Sequence, residues 1–269
     1  MPKNILERFR RLIHNPNGMV LVTGPTGSGK TTTLYAALKE LNKPEFKILT
    51  VEDPVEYRLA GINQVQVNTR IELTFARVLR SMLRQDPDIV LVGEMRDQET
   101  AEIGLRAAMT GHLVLSTLHT NDAVSTALRL TDMGVQPFMV AASLRGIISQ
   151  RLLRRICESC AEPHEISAGQ MAIVRAEAGD KADQLKFKRG RGCSHCNGTG
   201  YSGRIGVFEY LEMDGALVEA LHAKDTGKFE MAAKQQSGFQ SLRRSAIILA
   251  AQGQTTMDQV VRATFSMEE

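Results

Sequence analysis

Gly24-Pro25-Thr26-Gly27-Ser28-Gly29-Lys30-Thr31 fits the pattern G-x-x-x-x-G-K-[ST] and lies between the apolar run Met19-Val20-Leu21-Val22-Thr23 and a segment with apolar residues at Leu34, Ala37, Leu38 and Leu41. The run reads as a short buried strand, and residues 31–41 read as a helix with one apolar face. That is the strand–loop–helix context the pattern requires. Glycines let the backbone turn its N–H groups toward anionic oxygens, and the helix N-terminus adds roughly half a positive charge at the same place. The stretch, with Thr32 beside it, therefore reads as a nucleotide phosphate cradle: Lys30 reaches the β- and γ-phosphates, and the Thr31 hydroxyl holds Mg²⁺. A glycine-rich turn that merely precedes a helix is the plainer alternative.

Composition narrows what the bound nucleotide can be used for. The chain has 269 residues and 43% hydrophobic content, enough for one substantial core and a smaller unit. Its 33 basic and 30 acidic residues leave a net charge of +3, so no large field draws in a polyanion. Aromatics make up 5% and Trp is absent, which leaves few platforms for stacking bases. No apolar run approaches the roughly 20 residues of a membrane span, and no charged-then-apolar leader opens the chain. A soluble cytosolic protein is expected. Four cysteines in two C-x-x-C pairs then favour a metal over disulfides.

Residues 5–13 place apolar side chains on one helical face, and Asn15-Pro16-Asn17-Gly18 turns that helix into the first strand. Too little chain precedes residue 19 for a further domain. Lys47 to Val51 reads as a second buried strand that delivers Glu52, Asp53 and Glu56 at its carboxyl end, the edge where open α/β sheets bind ligands. These acids suit Mg²⁺ or a water, or else form a solvated turn. Residues 61–68 alternate weakly, as a short exposed strand or hairpin does. Thr74 opens a helix on which Arg77, Arg80 and Arg84 share a face, either a solvated stripe or a contact to phosphate across an interface. Asp88 to Val92 is a third buried strand leading into Gly93-Glu94-Met95-Arg96-Asp97. Gly93 stands where many P-loop ATPases keep an Asp, so Glu94 is the candidate to orient and activate water, while Asp97 suits the cap of a helix over 99–109.

His112 to Thr117 is a fourth strand, and it hands His119 to the ligand edge, where it can sense a γ-phosphate; His112 itself suits a structural or capping role. Asn121 is expected to open a helix to Met133, and Pro137 a longer one through Ile156. Cys157-Glu158-Ser159-Cys160 and Cys193-Ser194-His195-Cys196 follow, 32 residues apart, with a helix expected over 168–177 between them. Two such knuckles complete a closed, structural S₄ zinc site; redox-active or simply buried thiols are the alternatives. Residues 204–213 suit a return strand, and helices are expected at about 216–222, 226–236, 241–252 and 256–265.

Taken together, Gly24 to Thr31, Thr50-Val51-Glu52-Asp53-Pro54-Val55-Glu56-Tyr57, Leu83-Arg84-Gln85-Asp86-Pro87-Asp88 running into Gly93-Glu94-Met95-Arg96-Asp97, and Thr110-Gly111-His112 through His119-Thr120-Asn121 closely resemble the type II secretion and type IV pilus assembly ATPases of the secretion ATPase superfamily. The second stretch looks like the family's Asp box and the last like its His box. The tetracysteine element resembles that of the secretion and pilus-extension branch. The resemblance implies an α/β fold with a RecA-like P-loop core, a homo-hexameric ring with ATP between subunits, and arginines donated across or beside the site, a role carried by position to Arg80, Arg84 and Arg96. It implies an inner-membrane platform protein as partner of a cytoplasmic, peripherally docked ATPase. Catalysis is expected at Lys30, Glu52, Glu94 and His119, the residues already placed at the ligand edge.

The domains expected on this resemblance are a linker helix from a missing N-terminal region (1–18), the RecA-like ATPase core (19–156), a tetracysteine zinc subdomain with its return strand (157–212) and a C-terminal helical domain (213–269). ATP, Mg²⁺ and Zn²⁺ are the expected ligands. The function so read is a motor that hydrolyses Mg²⁺-ATP to power pilin or pseudopilin assembly. The rivals are a RecA-like nucleic-acid translocase, which near-neutral charge and sparse aromatics disfavour, and a nucleotide-gated scaffold without hydrolysis, which Glu94 disfavours.

Overall fold

A computed structural model describes residues 1–265. Helix α1 (Lys3–Ile13) buries Phe9, Leu12 and Ile13 and leads into β1 (Gly18–Thr23), every residue of which is buried. The phosphate loop follows, and α2 (Lys30–Leu41) starts at its lysine. Next come β2 (Ile48–Glu52), a short edge strand β3 (Asn63–Gln66), and α3 (Phe75–Leu83), which Thr74 caps through its hydroxyl to the Arg77 N–H. Strand β4 (Ile89–Val92) is followed by α4 (Gln98–Met109), whose cap is Asp97, as its sequence position suggests. Strand β5 (Leu113–Leu118), α5 (Ala123–Asp132), α6 (Pro137–Ser143) and β6 (Leu144–Ile156) come after it.

The strands order as β3-β2-β4-β5-β1-β6, with β9 (Tyr201–Glu212) beyond β6. Strand β1 lies parallel between β5 and β6, β4 pairs parallel with both β5 and β2, and β2 is parallel to β3. The wholly buried, Val/Leu/Ile-rich β1, β2, β4 and β5 match a parallel sheet covered on both faces. Their apolar side chains join those of α3, α4, α5 and α6 in one core centred on Leu21, Val51, Leu79, Val92, Leu105 and Val114. The carboxyl ends of β1, β2, β4 and β5 all open on one edge, which gathers the loops that carry Lys30, Asp53, Glu94 and His119.

Two compact units divide the chain. The first is Met1–Ser149 with Tyr210–Phe239; the second is 150–209 with the described residues from 240 on. Helices α8 (Gly215–His222) and α9 (Thr226–Gln235) belong to the first, where Leu217, Leu221 and Phe229 join its core. In the second, β7 (Ala161–Pro163) pairs antiparallel with β8 (Lys188–Gly190), and Val174 of α7 (Ala168–Ala178) packs with Leu242, Ile247 and Val260 of α10 (Leu242–Ala251) and α11 (Met257–Phe265). The packing units thus cut across the contiguous division read from the sequence: residues 213–239 fold with the nucleotide-site unit and the last two helices with the cysteine unit.

Two elements differ from the sequence pattern. The long helix expected from Pro137 to Ile156 stops at Ser143, and Leu144–Ile156 is a thirteen-residue strand. Its Gly146, Ile147, Ile148 and Ser149 pair with Val20, Leu21, Val22 and Thr23, so the backbone hydrogen bonds of β1 on that side outweigh the helical spacing of Val140, Leu144 and Ile147. Gly146 fits this place because a Cβ there would come within 3.1 Å of the Leu211 carbonyl and 2.4 Å of Leu12. The cap of α5 is Asp122, accepting from the Ser125 N–H at 2.6 Å, rather than Asn121. Of the two alternatives for residues 61–68, the short strand is the one formed: Asn63–Gln66 pairs parallel with β2 at the edge of the sheet.

Candidate active site and cysteine cluster

The phosphate loop holds positive φ at Gly24, Gly27 and Gly29. At Gly27 an added Cβ would meet nothing, so backbone freedom, not space, requires glycine there. Gly29 is the N-cap of α2 and supplies no side-chain cap, and the positive end of the helix dipole lies at the loop. Lys30 Nζ donates to the carbonyls of Gly24 at 2.8 Å and Pro25 at 3.1 Å, which folds its ammonium back over the loop. Pro25, Thr26, Gly27 and Thr32 are exposed and Thr31 half-buried. The loop thus combines an uncapped helix start, an ammonium and a hydroxyl, a donor set that fits a nucleotide's phosphates with Mg²⁺.

The acids split into two environments. Glu94, 19% exposed, follows β4 and accepts at both oxygens: from Arg96 Nε at 2.7 Å and from His119 Nε2 at 3.1 Å. Arg96 also reaches Asp53 Oδ2 at 3.3 Å and lies 5.9 Å over the Phe75 ring. Its hydrogen bond to Glu94 raises the guanidinium's pKa further above its ordinary value, against partial desolvation. His119, 45% exposed, is pushed below the usual histidine range by desolvation first and by the charge of Lys30 second, with Glu94 pulling the other way. The shift favours the neutral imidazole, in which Nε2–H donates to Glu94. Glu52 is only 3% exposed and is surrounded by donors: Tyr35 Oη, Thr50 Oγ1 and Gln64 Nε2, the last at 3.1 Å.

Gly93 explains the missing aspartate of the second acidic motif. Its N–H donates to the Val51 carbonyl at 2.7 Å, and a Cβ would stand 3.2 Å from both the Glu52 Cα and that carbonyl. Strands β2 and β4 approach there too closely for an Asp side chain to replace Gly without displacement.

Of the arginines singled out from the sequence, Arg96 alone stands with Glu94. Arg80 pairs with Glu99 of α4, and Arg84 is exposed at the end of α3. His112 Nδ1 is 3.0 Å from the Ala107 carbonyl, a local structural contact. The sequence reading missed Thr23, Thr120, Tyr35 and Gln64. Fully buried Thr23 donates to the Leu118 carbonyl at 2.9 Å and accepts from the Thr120 N–H at 3.2 Å, which fixes the loop carrying His119.

In the second unit, the Sγ atoms of Cys157, Cys160, Cys193 and Cys196 lie within 4.8 Å of one another. The 157–193 and 160–196 separations are both 3.9 Å, and 193–196 is 3.7 Å. A tetrahedron with Zn–S of about 2.3 Å has edges of about 3.8 Å, so the four sulfurs fit a zinc ion. Against burial, which alone would raise it, the backbone N–H groups of Cys193 and Gly200 donate to the Cys196 Sγ at 3.3 and 3.2 Å and bring its thiol down to about 6; burial pushes Cys160 up to about 12. The segments entering and leaving the second knuckle cross where a Cβ on Gly190 would lie 2.0 Å from the Gly200 carbonyl, so only glycine fits that crossing.

Residues 1–262 match the family described as Type II/IV secretion system protein. The chain belongs to this family. It is 49% identical over 258 residues to the Type II secretion system ATPase E of Vibrio cholerae, covering 96% of this chain and 50% of the relative. It is 49% identical over 260 residues to the Type IV pilus assembly ATPase PilB of Myxococcus xanthus, covering 96% and 46%. The chain thus spans about half the length of the curated relatives it matches. Among solved structures, the pilus retraction motor PilT with bound ADP superposes with a TM-score of 0.70 at 32% identity, over 98% of this chain and 64% of PilT. These likenesses bear out the α/β fold with its mostly parallel sheet and the family read from the four motif stretches. No helix among the described residues is long and apolar enough to cross a membrane.

Proposed function

We propose that this chain is the nucleotide-hydrolysing part of a motor that uses Mg²⁺-ATP to power pilin or pseudopilin assembly in a type IV pilus or type II secretion system. The observation that carries the reading is the meeting of a P-loop lysine and a Glu94–His119–Arg96 group at the carboxyl ends of β1, β4 and β5, in a member of the Type II/IV secretion system protein family. Lys30 and the α2 amides bind the phosphates. Thr31 would hold Mg²⁺, which supplies charge neutralisation at the β- and γ-phosphates. Glu94 orients and deprotonates the attacking water, and the neutral His119 beside it gives Nε2–H a partner that changes when the terminal phosphate leaves.

The core is of RecA-like type and works in a homo-hexameric ring. Exposed Arg84, and Arg80 once released from Glu99, are available to a neighbouring subunit's nucleotide, while Arg96 serves its own site. A zinc ion closes the cysteine cluster and is structural, since all four ligand positions are filled by thiolates. The assembled ATPase sits in the cytoplasm, docked on an inner-membrane platform protein. Substitution Lys30→Ala in the assembled full-length protein tests the site: ATP binding and phosphate release are both expected to be lost, and unchanged turnover would overturn the assignment.

A further inference from the structure

We infer that Glu52 is not a reacting group but the anchor of a positioning relay, in which Tyr35, Thr50 and Gln64 fix its carboxylate and its neighbour Asp53 holds Arg96 against Glu94. The inference rests on the ATPase reading and assigns roles within the same site. A carboxylate has about four lone-pair positions; three donors converge on Glu52 from α2, β2 and β3. A base that must accept a water's proton needs an open acceptor edge, which the buried Glu52 lacks and the more exposed Glu94 has. Burying a carboxylate is costly unless such donors surround it. The socket is itself tied down. Gln64 Oε1 accepts from the Leu59 N–H at 2.7 Å, its amide reaches the Tyr57 carbonyl at 3.2 Å, and the Tyr57 ring packs edge-on against Tyr35 at 4.7 Å. Burial first and Glu52 second push the Tyr35 pKa well up, so its phenol keeps the proton it donates.

Each end of the relay meets the nucleotide site. Tyr35 lies four residues after Thr31 and so on the same face of α2, one turn from the phosphates. At the other end, consecutive residues of an extended chain point to opposite sides: Glu52 turns into the socket while Asp53 turns out to Arg96 Nη1 at 3.3 Å. Arg96 Nε then holds Glu94 at 2.7 Å, and Glu94 holds His119. The bare Cα of Gly93 lets the two acidic segments touch. The chain from Tyr35 through Glu52–Asp53, Arg96 and Glu94 to His119 is therefore contiguous, and a shift of α2 on nucleotide binding is felt at the water-activating acid.

Tyr35→Phe removes one hydroxyl and keeps the ring. In the full-length assembled protein it is expected to lower kcat on the order of tenfold through misplacement of Glu94, with the affinity for ADP unchanged. In the nucleotide-free protein, the same variant should shift the ¹⁵N resonance of His119 Nε2. Combined with Asp53→Asn, the loss should be less than the product of the two single losses, because both act through Arg96. Thr50→Val, isosteric and at a second donor, should repeat the pattern if Tyr35→Phe lowers the yield of folded protein. Unchanged kcat, multiplicative losses, or a fall in ADP affinity that matches the fall in kcat would overturn the relay. A wild-type protein without turnover would instead refute the ATPase reading, and the His119 resonance would still decide the relay.

Discussion

Replacing Thr23 by Val tests how the fold holds the site. Thr23 ends β1, is wholly buried, and its hydroxyl links the Leu118 carbonyl at 2.9 Å to the Thr120 N–H at 3.2 Å on either side of His119. Valine has the same shape and no hydroxyl, so packing is kept while the buried Leu118 carbonyl and the half-buried Thr120 N–H lose a partner. An orphaned buried group costs about 1–3 kcal/mol; two together come to about 2–4 kcal/mol if relaxation recovers part of the loss. In a unit of this size 1 kcal/mol moves the melting temperature by about 2–4 °C, so Thr23→Val should melt roughly 5–15 °C lower by scanning calorimetry. Thr23→Ser is the control. It keeps the hydroxyl and forfeits one buried methyl, about 1 kcal/mol. A valine variant that melts at or above the serine variant would refute the assignment of the hydroxyl as the clasp of this loop.

Other outcomes follow from the same geometry. The lowered pKa of His119 places its NMR titration midpoint below the ordinary 6.5, and Glu94→Gln, by removing the carboxylate that pulls it up, should lower the midpoint further; a midpoint above 6.5 would contradict the downward shift. With the folded value depressed, the stability this group contributes is fully present above 6.5 and is lost as pH falls through the folded value. Elemental analysis of the purified protein should find about one zinc per chain, and Cys196→Ser should abolish it and lower the melting temperature of the cysteine unit; a metal-free, fully folded wild type would contradict the zinc reading.

Much of the nucleotide unit was legible because its signals are local. The phosphate loop, the four buried strands and the caps Thr74 and Asp97 each depend on residues a few positions apart, and the structure puts them within a residue or two of where the pattern places them. The cysteine spacing likewise announced a cluster, since C-x-x-C already bends two sulfurs together. What was not legible depends on partners distant in sequence. Leu144–Ile156 carries a helical spacing, but β1 needs a neighbour on that side, a fact that belongs to the sheet and not to the segment. The split of the C-terminal helices between two units has the same origin: α8 and α9 differ from α10 and α11 less in pattern than in the core each one covers. At the site, Glu52 and Glu94 looked alike as acids at strand ends. Only the buried donors Tyr35, Thr50 and Gln64 separate them, and no spacing links Gln64 to Glu52.

The central claim is that Glu94 activates water for ATP hydrolysis at the Lys30 cradle. Glu94→Gln in the assembled full-length protein changes one acceptor and preserves shape, so steady-state phosphate release should fall by about 10²–10⁴-fold, while Mg²⁺-ATP still binds and is recovered intact from the protein. Phosphate release at the wild-type rate by that variant would contradict the claim.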